Sequence, residues 1–225
     1  MSANDPHGGR RIVLAGAQLA KARRAVVMLH GRGGSPEDMM GLAEHLAVPD
    51  AAFLAPEAAG RSWWPQSFLA PLEANEPGLS SALSVVAALA ARLAGEGFGP
   101  EQTMILGFSQ GACLALEFSA RSAAPLAAVV ALSGALIGTA DADGPPEEAL
   151  YGHSPKRFEY PGRLDGVPIF LGCHQRDPHI PVARVRASGV TLKAMGAIVT
   201  THIHPGAGHG ITDDEVAFVR SLLGA

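Results

Sequence analysis

A chain of 225 residues, 48% hydrophobic and 17% charged, is long enough to bury a core and too apolar to stay disordered. Its formal net charge of -4 offers no basic field for nucleic acid or anionic lipid. Two cysteines, Cys113 and Cys173, make no disulfide framework, and MSANDPHGGRR has no apolar core behind a basic start, so a cytoplasmic protein is expected.

In chain order, apolar β-branched runs alternate with Ala-rich helical stretches. RIVLAG reads as an antiparallel edge strand. Strands are then expected over 24–31, 51–56, 103–109, 126–134, 167–173 and 197–205, several of them unbroken apolar runs that suit parallel strands buried on both faces. Helices are expected over 36–47, 79–95, 110–121, 182–195 and 212–223. The apolar stretch LSSALSVVAALAARLA, broken by serines and Arg92, reads as too short and too polar to cross a membrane. The alternation predicts one α/β domain over residues 1–225, a doubly wound, mostly parallel sheet flanked by helices. Two stretches break the rhythm, Glu57 to Gly78 and Ile137 to Gly166. Connections of this length inside a domain are usually functional, and the second is a candidate lid or insertion.

Between an expected strand and an expected helix lies Gly107-Phe108-Ser109-Gln110-Gly111, a G-x-S-x-G pattern. A sharp strand-to-helix turn lifts a serine hydroxyl above the sheet, and glycines two positions either side leave room for it. A serine hydroxyl is a weak nucleophile and needs a base oriented by an acid, in the chain order Ser, Asp or Glu, His for this fold class. Asp177 in GCHQRDPHIP and His209 in HPGAGHGITDDE follow in that order, each after an expected strand. A turn carboxylate before Pro178 and an ordinary loop histidine are the plainer alternatives. The glycine-rich turn His30-Gly31-Arg32-Gly33-Gly34 follows the first central strand, and the backbone N–H of Arg32 paired with that of Gln110 would hold an oxyanion. Walker and dinucleotide spacings are absent from it.

With these residues assembled, the chain resembles the phospholipase/carboxylesterase family of α/β-hydrolases, which includes acyl-protein thioesterases and small bacterial carboxylesterases. LHGRGG, SWWPQSFLAPLEANEPGLSSAL, ILGFSQGACLAL, ALSGALIG, FLGCHQRDPHIPVARV and HPGAGHGITDDE carry the resemblance over nearly the whole chain. It implies Ser109 as nucleophile, Asp177 as acid, His209 as base, and Arg32 and Gln110 as the oxyanion hole. It implies no cofactor and a small-molecule ester or thioester as partner, and a homodimer is one arrangement such relatives adopt. Many relatives have Leu in place of Arg32 and Asp in place of Gly34; backbone donation survives both changes. The Arg32 side chain is then open between solvent and a preference for anionic substrates. SWWPQSFLAPLEANEPG is closer to a bacterial subgroup than to the eukaryotic thioesterases.

The expected activity is hydrolysis of carboxylic esters through an acyl-enzyme, with acyl-thioesterase, lysophospholipase or a non-catalytic hydrolase-like binder as alternatives. Trp63, Trp64, Phe68 and His179 are candidate walls of an acyl pocket, core packing and surface placement being the plain alternatives. His202 and His204 share one strand face as H-x-H, but no further ligands follow at metal spacing, so no metal site is expected. Cys113, a turn into the helix behind Ser109, reads as a small core residue.

Overall fold

The computed structural model describes residues 5–138 and 144–224. Its strands are β1 (Ile12–Gly16), β2 (Arg24–Leu29), β3 (Ala51–Pro56), β4 (Thr103–Phe108), β5 (Ala128–Leu132), β6 (Pro168–Arg176) and β7 (Ile198–Ala207). Its longer helices are α1 (Pro36–Leu46), α2 (Gly78–Gly95), α3 (Gln110–Ser122), α4 (Val182–Ala194) and α5 (Asp213–Leu222). The strands form one seven-stranded sheet in the order β1-β3-β2-β4-β5-β6-β7. Only the β1–β3 pairing is antiparallel, as the edge position of RIVLAG suggested.

The central strands alternate between two cores. Val27 and Leu29 point to the side covered by α2, α3 and α4, while Val26 and Met28 point to the side covered by α1 and α5. The chain leaves β2 for β3 on one side and returns to β4 on the other, so the β2 and β4 carboxyl ends flank the topological switch point. Both glycine-rich turns of the sequence lie there. Helix starts are fixed locally: Ser35 caps α1 and Thr212 caps α5, each in a reciprocal capping box, with Asp38 and Glu215 respectively.

The expected elements appear within a few residues of their bounds, except that β6 and β7 run on further. Their pairing continues through His174 with His204 and, past a bulge, to Arg176 with Ala207. That extension carries the loops after β6 and β7 beyond the rest of the sheet edge.

One expectation needs correcting. Helix α2 spans 18 residues with a mean hydropathy of 1.5, which by length and composition suffices to cross a membrane. Its serines and Arg92 leave it apolar enough because the other positions are Ala, Leu and Val with a glycine at each end. Leu79, Ala82, Val86, Leu89 and Leu93 form a buried stripe that packs into the core beside α3, as a core helix does.

In the stretch from 137 to 166, residues 139–143 lie outside the described part. Much of the remainder is tied to the body. The buried Glu117 carboxylate of α3 accepts from Ile137 N (3.1 Å), Tyr160 Oη (2.8 Å) and Arg121 Nε (2.6 Å). Phe158 lies 5.0 Å under the Arg184 guanidinium of α4. Tyr151 Oη donates to the Asp177 carbonyl.

Because Leu93 is fully buried in the α2 stripe, Leu93→Ala is expected to lower the unfolding free energy by about 2–5 kcal/mol. Urea denaturation measures this, and a loss under about 0.5 kcal/mol would contradict core packing of α2.

Candidate active site

Strand β4 ends at Phe108, and Ser109 makes the turn into α3 with φ 54° and ψ −118°. A non-glycine residue rarely holds such a backbone, so surrounding structure must impose it. Ser109 N donates to Leu132 O at 2.9 Å, tying the turn to β5. The flanking glycines have a sharper purpose than clearing space for the hydroxyl. A Cβ on Gly107 would stand 2.1 Å from Gly111 O, and one on Gly111 would stand 2.1 Å from Leu29 O. Main chain crosses main chain at both points, and no side chain fits.

The hydroxyl so raised meets the two other expected residues. Ser109 Oγ lies 2.9 Å from His209 Nε2, and His209 Nδ1 lies 2.7 Å from Asp177 Oδ2. The Asp177 side chain is fully buried and that of His209 is 18% exposed. Asp177 Oδ1 accepts from His179 N (2.8 Å) and Ile180 N (3.0 Å), which fixes the carboxylate plane. Burial pushes the Asp177 pKa up, but the bonds from His209 and the two amides outweigh it and hold the carboxyl below its ordinary value. An anionic Asp177 accepts the Nδ1 proton of His209, leaving Nε2 to accept from the serine. Phe108 and His179 stand against the His209 ring at centroid distances of 5.1 and 4.8 Å.

Next to Ser109 opens a cavity of about 440 Å³. Gly31, Arg32 and Gln110 line it together with Ser109 and His209. Among the described residues, neither Arg32 N–H nor Gln110 N–H has a protein acceptor. The Arg32 guanidinium goes neither wholly to solvent nor to a carboxylate: its two terminal nitrogens donate to Pro65 O (2.8 Å) and Gln66 O (2.6 Å).

Of the expected wall residues, Trp64, Phe68 and His179 line the cavity. Trp63 does not. It is fully buried behind the wall, its indole N–H donating to His30 O at 2.9 Å, because a Trp with a satisfied polar edge is stable as core. Cys113 was read as core, and it is fully buried while also lining the cavity. The described residues 144–166 are not among those lining the cavity.

Three residues that sequence reasoning did not single out for scaffolding hold this wall. The Gln110 side chain accepts from Trp63 N (2.9 Å) and donates to Trp64 O (2.9 Å), imitating a backbone pair. His7 Nε2 donates to Trp63 O (2.8 Å) while its Nδ1 accepts from Ala59 N (2.9 Å). His30 Nδ1 donates to Gly31 O (2.8 Å) and its Nε2 accepts from Ala58 N (3.1 Å). The only hint in sequence is that His30 and Gln110 sit inside the two glycine-rich motifs.

His202 and His204 do share a face of β7. His202 packs edge-on against Phe170 (5.1 Å), and His204 Nε2 meets Thr212 Oγ1 (3.3 Å) and Glu215 Oε1 (3.4 Å). Among the described residues no group of three His, Cys, Asp or Glu is arranged to hold a metal.

Burial lowers the pKa of both His7 and His30, so both rings are neutral in the fold. The unfolded chain, with pKa near 6.5, therefore takes up these protons first. Each ring contributes stability that is full above about pH 6.5 and is lost as pH falls toward the folded-state pKa. Long-range ¹H–¹⁵N spectra at pH 7.5 are expected to identify His7 as the Nε2–H tautomer and His30 as the Nδ1–H tautomer. The opposite tautomer at His30 would contradict the assignment.

Residues 12–225 match the family model described as Phospholipase/Carboxylesterase. A phospholipase/carboxylesterase from Dyadobacter fermentans is 36% identical, with 96% of this chain and 97% of that one aligned and a TM-score of 0.83. Esterase PE8 is 27% identical over 94% of this chain and 96% of its own, TM-score 0.71. The Bacillus cereus carboxylesterase, 19% identical over 98% and 97% of the two chains with TM-score 0.69, shares the fold. The chain is an α/β-hydrolase and belongs to the phospholipase/carboxylesterase family of hydrolases.

Proposed function

We propose that the chain hydrolyses small to medium carboxylic esters through a covalent acyl-enzyme on Ser109. One observation carries the reading: the unbroken hydrogen-bond chain from Ser109 Oγ through His209 to buried Asp177, beside a cavity lined by apolar groups and backbone donors. His209 Nε2 takes the hydroxyl proton as Ser109 Oγ attacks the acyl carbonyl. The oxygen that becomes negative is stabilised by the N–H groups of Arg32 and Gln110 and by the positive end of α3. Collapse expels the alcohol, which receives the proton from His209 Nε2. Water then attacks the acyl-serine, His209 takes its proton, and the acid leaves with Ser109 regenerated. Asp177 stays a carboxylate throughout, stabilising the imidazolium and fixing its tautomer.

Thioesters and lysophospholipids would react by the same steps, yet a cavity near 440 Å³ is at the small end of the roughly 300–1,000 Å³ of ligand sites, which favours short and medium acyl chains. A cytoplasmic setting belongs to the same proposal, since Cys113 and Cys173 are free buried thiols that suit a reducing compartment.

Two results test this. Hydrolysis of 4-nitrophenyl esters from acetyl to palmitoyl is expected to peak at short acyl chains and to vanish in Ser109→Ala at unchanged circular dichroism. A Ser109→Ala protein as active as the wild type would sink the proposal. For Asp177→Asn, turnover is expected to fall by about 10⁴-fold, because the amide favours the wrong His209 tautomer; near-full turnover would place the acid elsewhere.

A further inference from the structure

We propose that the cavity selects esters carrying a carboxylate, such as monoesters of short dicarboxylic acids, through the charge of Arg32. This rests on the ester-hydrolase reading and deepens it by naming a substrate class. Among the described residues that line the cavity, Arg32 is the only Arg, Lys, Asp or Glu. It makes no ion pair with a described carboxylate; both its protein acceptors are neutral carbonyls, Pro65 O and Gln66 O. A guanidinium has five N–H donors, so three are left over after those two bonds. The carbonyls hold the side chain in place without cancelling its charge.

The surroundings add to this. Arg61, whose Nε donates to Gly34 O at 3.1 Å, places a second cation beside the same glycine-rich turn. Trp64, also in the lining, carries a buried indole N–H with no protein acceptor. Of the carboxylates near it, Asp177 is shut away behind His209 with each oxygen bonded, and Asp38, beside Gly34, is taken up by Ser35 and does not line the cavity. The cavity thus offers a cation and donors but no anionic acceptor. Within the lining, one guanidinium matches the single charge of one carboxylate.

The test compares kcat/KM for monomethyl succinate and methyl butyrate, which differ by a carboxylate in place of a methyl, followed by proton release. Wild type is expected to favour the succinate monoester by about 10-fold at low salt, the size of a partly exposed charge pair, and less at 0.5 M NaCl. The ratio, not the basal rate, is the readout, because the Arg32 backbone belongs to the oxyanion hole. Arg32→Gln should abolish the preference. Arg32→Lys should largely keep it, since lysine keeps the charge but not the two-carbonyl grip. An unchanged ratio in Arg32→Gln, or no preference in a wild type that still cleaves 4-nitrophenyl butyrate, overturns the inference and leaves the esterase reading standing. Failure to cleave any of these esters overturns both.

Discussion

Everything at the site depends on how closely three stretches of main chain approach at the end of β4. Gly107, Gly111 and the Leu29–His30 peptide leave no room for a Cβ at the two glycines, with contacts that would fall to 2.1 Å. This crossing brings the end of β2, and the glycine-rich turn after it, against the start of α3. One geometric fact therefore positions both the strained Ser109 and the two N–H groups proposed to receive the oxyanion. The strain at Ser109, with φ at 54°, is held by neighbours fixed in β5 and α3, through Ser109 N to Leu132 O and Cys113 N to Ser109 O. A larger residue at either glycine would push apart the two halves of the site, since Gly111 O and Leu29 O are backbone atoms that cannot swing away.

The second constraint is that the acid and base must reach the serine from the other half of the sheet. Strands β6 and β7 do so by outgrowing their neighbours, with a bulge near His174 and Arg176 before the Asp177 turn. The turn then closes on itself, as His179 N and Ile180 N donate to one Asp177 oxygen and leave the other for His209. Burial of the carboxyl, unfavourable alone, becomes tolerable because every oxygen is bonded. The anion that results accepts the His209 Nδ1 proton and leaves Nε2 facing Ser109, the orientation that the proposed base role needs.

What was legible in the sequence followed from local rules. Continuous apolar runs marked buried parallel strands, and G-x-S-x-G after such a run marked the turn. The order of Asp177 and His209 after further strands brought them to one edge, because parallel strands all end on the same side. What stayed hidden were bonds between a side chain and distant backbone. Gln110 to Trp63, His7 to Trp63 and His30 to Ala58 span 47, 56 and 28 residues and leave no periodicity behind. Trp63 and Trp64 illustrate the limit: adjacent, identical and equally apolar, one lines the cavity and the other fills the core. Trp63 donates its indole N–H to His30 O while that of Trp64 has no protein acceptor, and no local pattern encodes the difference.

Cys113 sharpens the question of which atom in the cavity attacks. It stands four residues after Ser109, lines the same cavity, and bears a thiol, in free solution the better nucleophile of the two. Burial pushes its pKa up to about 12, so the thiolate fraction at pH 7 is about 10⁻⁵. Its sulfur instead accepts Ala135 N at 3.4 Å, as a core atom would. Ser109 has the weaker atom but the better surroundings: a base 2.9 Å away, unclaimed N–H donors beside it, and a backbone that holds it clear of the helix. On the proposed mechanism, the position of His209 and of the free N–H groups, not the intrinsic strength of the nucleophile, selects Ser109. The same separation keeps the cysteine inert as a piece of cavity wall, where its small volume leaves space for an acyl group.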